Sequence, residues 1–159
     1  MDNTPTLDGF VDWVRTVMGI PPLYLPDGSV YFTYAYNVAL ATVNLRFKCV
    51  PSPIYTLMVY NLGGANLMAW AQDVPGVYYK TPPNGDPIGY FAYWRQQYSL
   101  NSFTPGFTTA AYDQGTGTSI EIIDSLKNLT PGQIGLTKTP WGLAYLNWAS
   151  DWNRPWGIS

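Results

Sequence analysis

Apolar residues near the amino terminus recur at the spacing of one helical face. They are Leu7, Phe10, Val11, Val14, Val17 and Met18. Charged residues fall between them, Thr6 suits the N-cap position, and Gly19 suits a helix end. The pattern predicts an amphipathic helix over residues 6–18. The three prolines that follow, with the Asp27-Gly28 pair, predict a loop and a turn.

A second helix is predicted over residues 34–47, where apolar and small residues alternate without charge until Arg46. Its core face is expected to consist of Val38, Ala41 and Leu45. A further set of residues is small enough for close helix approach: Ala35, Ala39 and Thr42. These three positions are expected to allow the close approach of another helix.

The third helix is predicted over residues 52–72, with Ser52 as N-cap and Pro53 at the first helical position. The pair Gly63-Gly64 in its middle costs on the order of 2 kcal/mol relative to alanines. Such a pair predicts a kink or close packing by a neighbouring backbone. No residue between Lys48 and Asp73 is charged, but prolines and polar residues interrupt this stretch, which favours a buried core helix over a membrane span.

The remaining elements are marked by proline and glycine. Residues 73–89 are predicted to form a loop, and 90–100 a short aromatic helix whose rings pack in the core. Residues 103–123 alternate small, β-branched and glycine residues, which predicts a loop or a β-hairpin. Threonine–proline pairs predict helix starts for residues 131–136 and about 140–152.

The expected fold is mainly α, a helical bundle of about five to six helices with a glycine-rich loop or β-hairpin insertion at about 103–119. At 159 residues the chain fits one domain. We place a helical domain at 1–150 and an extended C-terminal docking tail at 151–159. The first residues lack a basic segment followed by an apolar run, so no signal peptide is expected.

Residues 138–159 contain four of the seven tryptophans. Charged residues make up 11% of the chain and aromatic residues 16%, against roughly 25% charged in ordinary soluble domains. A carboxyl end that is rich in aromatic rings and poor in charge is expected to dock either on its own core or on a neighbouring chain, and we favour the neighbouring chain. The predicted interface residues are Trp148, Trp152, Arg154, Trp156 and Ile158.

The residues for catalysis are largely missing. The chain has no histidine and one cysteine, Cys49, so it offers no histidine-based triad, no ordinary zinc site and no internal disulfide. Cys49 is interpreted as a buried structural thiol, and Gly115-Thr116-Gly117 as a hairpin tip rather than a phosphate loop. The net charge of −2 gives no basic surface for nucleic acid. We predict no enzymatic activity, no catalytic residue, no cofactor and no metal.

Seven short segments, spread over most of the chain, are considered together. They are residues 6–10 (TLDGF), 17–21 (VMGIP), 35–40 (AYNVAL), 54–57 (IYTL), 59–63 (VYNLG), 138–142 (KTPWG) and 156–159 (WGIS). Together they resemble small proteins encoded among the structural genes of tailed bacteriophages, similar to the head-to-tail adaptors of the neck. The resemblance implies a homo-oligomeric ring beneath the phage portal protein, whose C-terminal segment, here from Leu146 to Ser159, reaches between portal subunits.

That resemblance also implies a location and partners. The location would be the virion head–tail junction, and the host cytoplasm during assembly. The partners would be portal and tail or neck proteins, with DNA only as passing cargo and no membrane. The glycine-rich hairpin around Gly115 departs from a plain helical bundle.

Two other interpretations stay open. One is a different virion neck or tail completion protein. The other is an aromatic-rich carbohydrate-binding or hydrolytic module, in which the aromatic residues of 90–94 stack on sugars and Asp113 and Glu121 form a carboxylate pair. Modules of that kind are typically β-sandwiches, so a fold dominated by strands would favour the second interpretation.

Overall fold

The computed structural model of the chain describes residues 4–43, 50–81, 85–101, 107–112, 117–121 and 131–152, with side chains described from 134 to 151 in the last range. These residues form six helices and one two-stranded hairpin. The elements are α1 (Leu7–Thr16), α2 (Val30–Thr42), α3 (Ser52–Trp70), α4 (Tyr90–Gln97), β1 (Phe107–Tyr112), β2 (Gly117–Glu121), α5 (Pro131–Leu136) and α6 (Pro140–Trp152). The prediction of a mainly helical bundle is confirmed.

Helix α1 begins as its sequence predicts and ends earlier. The Thr6 hydroxyl accepts a hydrogen bond from the Gly9 N–H at 3.1 Å, the expected N-cap contact. The helix ends at Thr16, and Gly19 adopts a φ of +67° that favours glycine. Val17 therefore lies beyond the helix and is 59% exposed, which corrects its predicted place in the core.

The buried face of α1 consists of Phe10, Trp13 and Val14. Trp13 was not among the predicted apolar positions. Its ring stacks beside Phe10 with centroids 6.2 Å apart, and both rings turn toward α3.

Helix α2 presents the opposite face to that predicted. Its buried residues are Phe32, Ala35, Tyr36 and Ala39, while Val38, Ala41 and Thr42 are exposed. Helix α3 lies on the alanine side because small residues permit the closest backbone approach. The expectation of a core face at Val38 and Ala41 was therefore wrong, whereas the close helix approach expected at Ala35 and Ala39 is confirmed. The helix also begins at Val30, earlier than predicted, and residues 44–49, which include Leu45 and Cys49, lie outside the described residues.

Helix α3 is the centre of the bundle and is buried along most of its length. A Cβ on Gly63 would lie 2.9 Å from the Phe10 ring, and one on Gly64 would lie 2.9 Å from the Trp13 ring. The glycine pair therefore makes room for aromatic side chains of α1, and the Ala35 carbonyl oxygen of α2 also approaches the Cβ position of Gly63 to 3.6 Å. The helix continues through the pair. The N-cap residue is Pro51 without a side-chain cap, which corrects the prediction of Ser52.

The proline-rich loop between α1 and α2 is tied down by Arg15. Its guanidinium donates hydrogen bonds to the Ile20 carbonyl at 2.7 Å and to the Leu25 carbonyl. It also forms an ion pair with Asp27 at 2.5 Å and lies 5.2 Å from the centroid of the Phe32 ring. The predicted turn at Asp27-Gly28 is thus connected to the first helix by one side chain.

Asp73 and Arg95 join the end of α3 to α4. The Asp73 carboxylate accepts hydrogen bonds from the backbone N–H groups of Phe91 at 2.6 Å and Ala92 at 3.0 Å, and so caps α4 from outside the helix. Arg95 donates to the carbonyls of Met68, at 3.0 Å, and Ala71 at the end of α3. Burial lowers the pKa of the Arg95 guanidinium, and the nearby Asp73 carboxylate opposes this effect.

The insertion, for which the sequence left a loop or a β-hairpin open, contains a two-stranded hairpin. Strands β1 and β2 pair antiparallel from Phe107 opposite Glu121 to Tyr112 opposite Gly117, with a bulge between Thr108 and Ala110. Asp113 and Gly115, which the sequence places at its tip, lie outside the described residues. Across the described ranges, none of the helices has the length and apolar character needed to cross a membrane.

Candidate interaction surface

Helix α6 is attached to its own subunit at its first turn. Thr139 is buried, and its hydroxyl accepts a hydrogen bond from the Gly142 N–H at 3.0 Å. Gly142 lies against the Leu136 backbone, so closely that a Cβ at this position would overlap the Leu136 carbonyl oxygen. Helices α5 and α6 therefore form a tight junction that sets the direction of the C-terminal segment.

The body of α6 packs along α3. Four of its residues are partly buried against the hydrophobic core: Trp141, Tyr145, Trp148 and Ala149. The Trp141 ring meets Tyr98 edge-to-face with centroids 6.0 Å apart. Burial raises the pKa of the Tyr145 phenol. The amino-terminal part of the tryptophan-rich segment thus belongs to the subunit's own core.

The structure describes the five predicted interface residues to different extents. Trp148 is half-buried on its own subunit, with the rest of its surface open. Trp152 is the last residue of α6, which continues two residues past the predicted domain boundary at 150. Arg154, Trp156 and Ile158 lie outside the described residues. The interface role of all five stays a prediction, and any partner contact of Trp148 is made by the part of its indole that its own core leaves open.

A second surface was missed by sequence analysis. On α2 the outward positions Val30, Tyr34 and Val38 are 58%, 61% and 42% exposed, and Ala41 extends the row by one turn. We call these four residues the α2 face. Neither α2 nor the helix behind it, α3, contains a charged residue. Helical periodicity detected this row but could not distinguish a core face from an exposed one.

Comparisons of the chain with protein-family models, curated proteins and solved structures gave no match. The local chemistry of the described residues is therefore the basis for any functional proposal. The two parts of the molecule on which such a proposal can rest are the α2 face and helix α6.

Reactive groups are not concentrated anywhere in the described ranges. Among those residues no cluster of histidine, cysteine, aspartate or glutamate could hold a metal ion. Tyr90 and Phe91 of the aromatic helix are buried, as the core-packing interpretation predicted. Of the suggested carboxylate pair, Asp113 lies outside the described residues and only the backbone of Glu121 is described.

Proposed function

We propose that this chain is a non-enzymatic structural protein of a bacteriophage virion, a head-to-tail adaptor that forms a ring between portal and tail. Its site of action would be the head–tail junction, after assembly in the host cytoplasm. The observation that carries the proposal is the α2 face, an exposed row of apolar side chains on an uncharged helix. The resemblance of the segments quoted above to phage neck proteins supplies the biological setting.

The α2 face has the chemistry of a protein contact. Interface centres are depleted in charge and enriched in tyrosine and other large apolar residues. In a closed ring each subunit meets the next through two different patches, one on each side. We assign the α2 face to one of these patches. A subunit surface designed only for water would be expected to carry charge at some of these positions.

The C-terminal helix supplies the second half of the proposal. Helix α6 is held by α3 and by the α5–α6 junction, so its end has a defined position on the subunit. Residues 153–159 continue from that end and include Arg154, Trp156 and Ile158. We assign this segment to the portal, where an arginine between aromatic residues is a suitable anchor.

A charge on the α2 face tests the ring contact. Tyr34→Asp should reduce incorporation of the chain into phage particles at least tenfold, because a desolvated unpaired carboxylate costs more than about 1.4 kcal/mol. The monomer should stay folded, since the Tyr34 side chain points to solvent. Incorporation is measured by quantitative mass spectrometry of purified particles.

The matched control is Thr33→Asp, an exposed position on the same helix outside the α2 face. Equal incorporation of both variants would remove the α2 face from the proposal.

Truncation after Trp152 tests the portal contact. The shortened chain keeps all of α6 and should unfold at the same temperature as the full chain, but we expect it to lose binding to portal in a pull-down assay. A truncated chain that binds portal as well as the full chain does would contradict the tail assignment. Binding to tail proteins in place of portal, by either form, would instead favour a tail completion protein.

A further inference from the structure

A cleft of about 240 Å³ lies between the loop before α2 and the loop after α3. Its walls include Tyr24, Pro26, Tyr31, Gln72, Asp73 and Pro75. It is separate from the α2 face and from helix α6. The contacts proposed for the virion do not involve it.

The ring of Tyr24 packs on one of its faces against Tyr90, and no other aromatic ring of the described residues stacks on its second face. It stacks on Tyr90 with centroids 4.8 Å apart and an interplanar angle of 20°. Tyr79 is perpendicular to both rings, at 5.6 Å from Tyr24 and 5.0 Å from Tyr90. The far face of Tyr24 is the one turned away from Tyr90. A Tyr79 ring on that face would have its centroid about twice as far from the Tyr90 centroid as the observed 5.0 Å. Tyr79 therefore sits beside the stacked pair and does not cover the far face of Tyr24, a residue that lines the cleft.

The polar groups of the cleft include side chains without a hydrogen-bond partner in the described part of the chain, and one carboxylate whose charge is compensated. Gln72 is exposed, and its amide makes no hydrogen bond with the described part of the chain; the same holds for the hydroxyls of Tyr24 and Tyr31. The Asp73 carboxylate is compensated by the first N–H groups of α4 and by the neighbouring Arg95. The cleft thus offers hydrogen-bond donors and acceptors beside an aromatic face, without a net local charge.

We propose that this cleft binds a single neutral pyranose ring of a carbohydrate. The C–H face of such a ring would lie on the free face of Tyr24, whose π-cloud is negative. The amide of Gln72 both donates and accepts, and the Tyr31 hydroxyl does the same, which suits sugar hydroxyls. A cation would find no uncompensated carboxylate here. The volume is below the usual range of about 300–1,000 Å³ for ligand sites, so one ring fits and an affinity on the order of 1 mM is expected.

The experiment is a titration of the ¹⁵N-labelled full chain with methyl glycosides of glucose, galactose, mannose and N-acetylglucosamine, followed by two-dimensional NMR. At least one glycoside should give saturable shifts with a Kd on the order of 1 mM, confined to residues around 24–31 and 72–75. Gln72→Ala should raise that Kd by about two- to tenfold, the range of one lost hydrogen bond. Because Gln72 is exposed and makes no hydrogen bond within the described chain, this variant should keep its fold.

Two tyrosine variants and a control complete the test. Tyr24→Phe keeps the ring and should bind within about twofold of the parent, whereas Tyr24→Ala should abolish saturation. Tyr78→Ala, an exposed tyrosine outside the cleft, should bind as the parent does. The proposal is overturned if no glycoside saturates by about 20 mM, or if Gln72→Ala leaves the Kd unchanged. Tighter binding of tetramethylammonium chloride would also overturn it, in favour of a cation site.

Discussion

Replacing Phe10 by alanine should lower the free energy of unfolding by about 3–5 kcal/mol. Phe10 is fully buried, and its ring is the point where three helices meet. Its centroid lies within about 6 Å of four other aromatic rings, those of Trp13, Phe32, Tyr36 and Tyr60. It also fills the space that Gly63 leaves open in α3. Removal of the ring would leave a cavity bordered by a glycine, which has no side chain to refill it.

The measurement is chemical denaturation followed by far-ultraviolet circular dichroism. Val17→Ala is the matched control, because Val17 follows the same helix but is exposed, and we expect a change within about 0.5 kcal/mol. A loss below about 1 kcal/mol for Phe10→Ala would mean that α1 is not packed on α3 as described.

Replacing Gly142 by alanine should lower the free energy of unfolding by about 3 kcal/mol, although alanine is the better helix former by about 1 kcal/mol. The added Cβ would overlap the Leu136 carbonyl oxygen and lie 2.9 Å from the Leu136 carbonyl carbon and Cα. All three atoms belong to backbone, so no side-chain rotation relieves the contact. The α5–α6 junction has to open, and α6 is expected to separate in part from α3.

Hydrogen exchange should show this opening directly, as faster exchange of α6 amides than in the parent chain. Gly135→Ala is the control, because no atom lies within 4 Å of a Cβ placed there and helix α5 gains by the substitution. That variant should be unchanged or more stable by up to about 1 kcal/mol. Equal behaviour of the two variants would show that the junction does not hold α6.

The helical architecture could be predicted from sequence because its starts and breaks are marked locally. Helix starts were predicted close to the observed ones from Thr6 and from the threonine–proline and serine–proline pairs. The hairpin followed from alternation around glycines. These signals depend only on residues a few positions apart, so no knowledge of the tertiary fold is needed.

Which face of a helix is buried depends on its neighbours, and here prediction was wrong for α2. Val38 and Ala41 have the spacing of a core face, but Ala35 and Ala39 lie against α3. Helix α2 has apolar residues on both faces and no charged residue, so its periodicity does not show which face is turned to solvent. The role of Gly63-Gly64 could not be predicted for a similar reason, because the rings that occupy the space beside these glycines belong to α1.

The candidate sites were only partly accessible to sequence reasoning. Aromatic density identified the C-terminal segment, but it could not show that Trp141 and Trp148 lie partly on the subunit's own core. The sugar cleft joins Tyr24 to Gln72, two residues that are distant in the chain and that carry no motif. Its packing on Tyr90 and its place in the lining of the cleft draw attention to Tyr24, and neither can be read from the sequence.

Electron cryomicroscopy of intact particles of the proposed phage tests most directly whether this polypeptide works by being buried between other proteins. We predict a closed ring of copies directly beneath the portal, with the α2 face covered by an adjacent copy and residues 153–159 inserted between portal subunits. Particles that lack the chain, or that hold it as isolated copies with the α2 face open to solvent, would contradict the account.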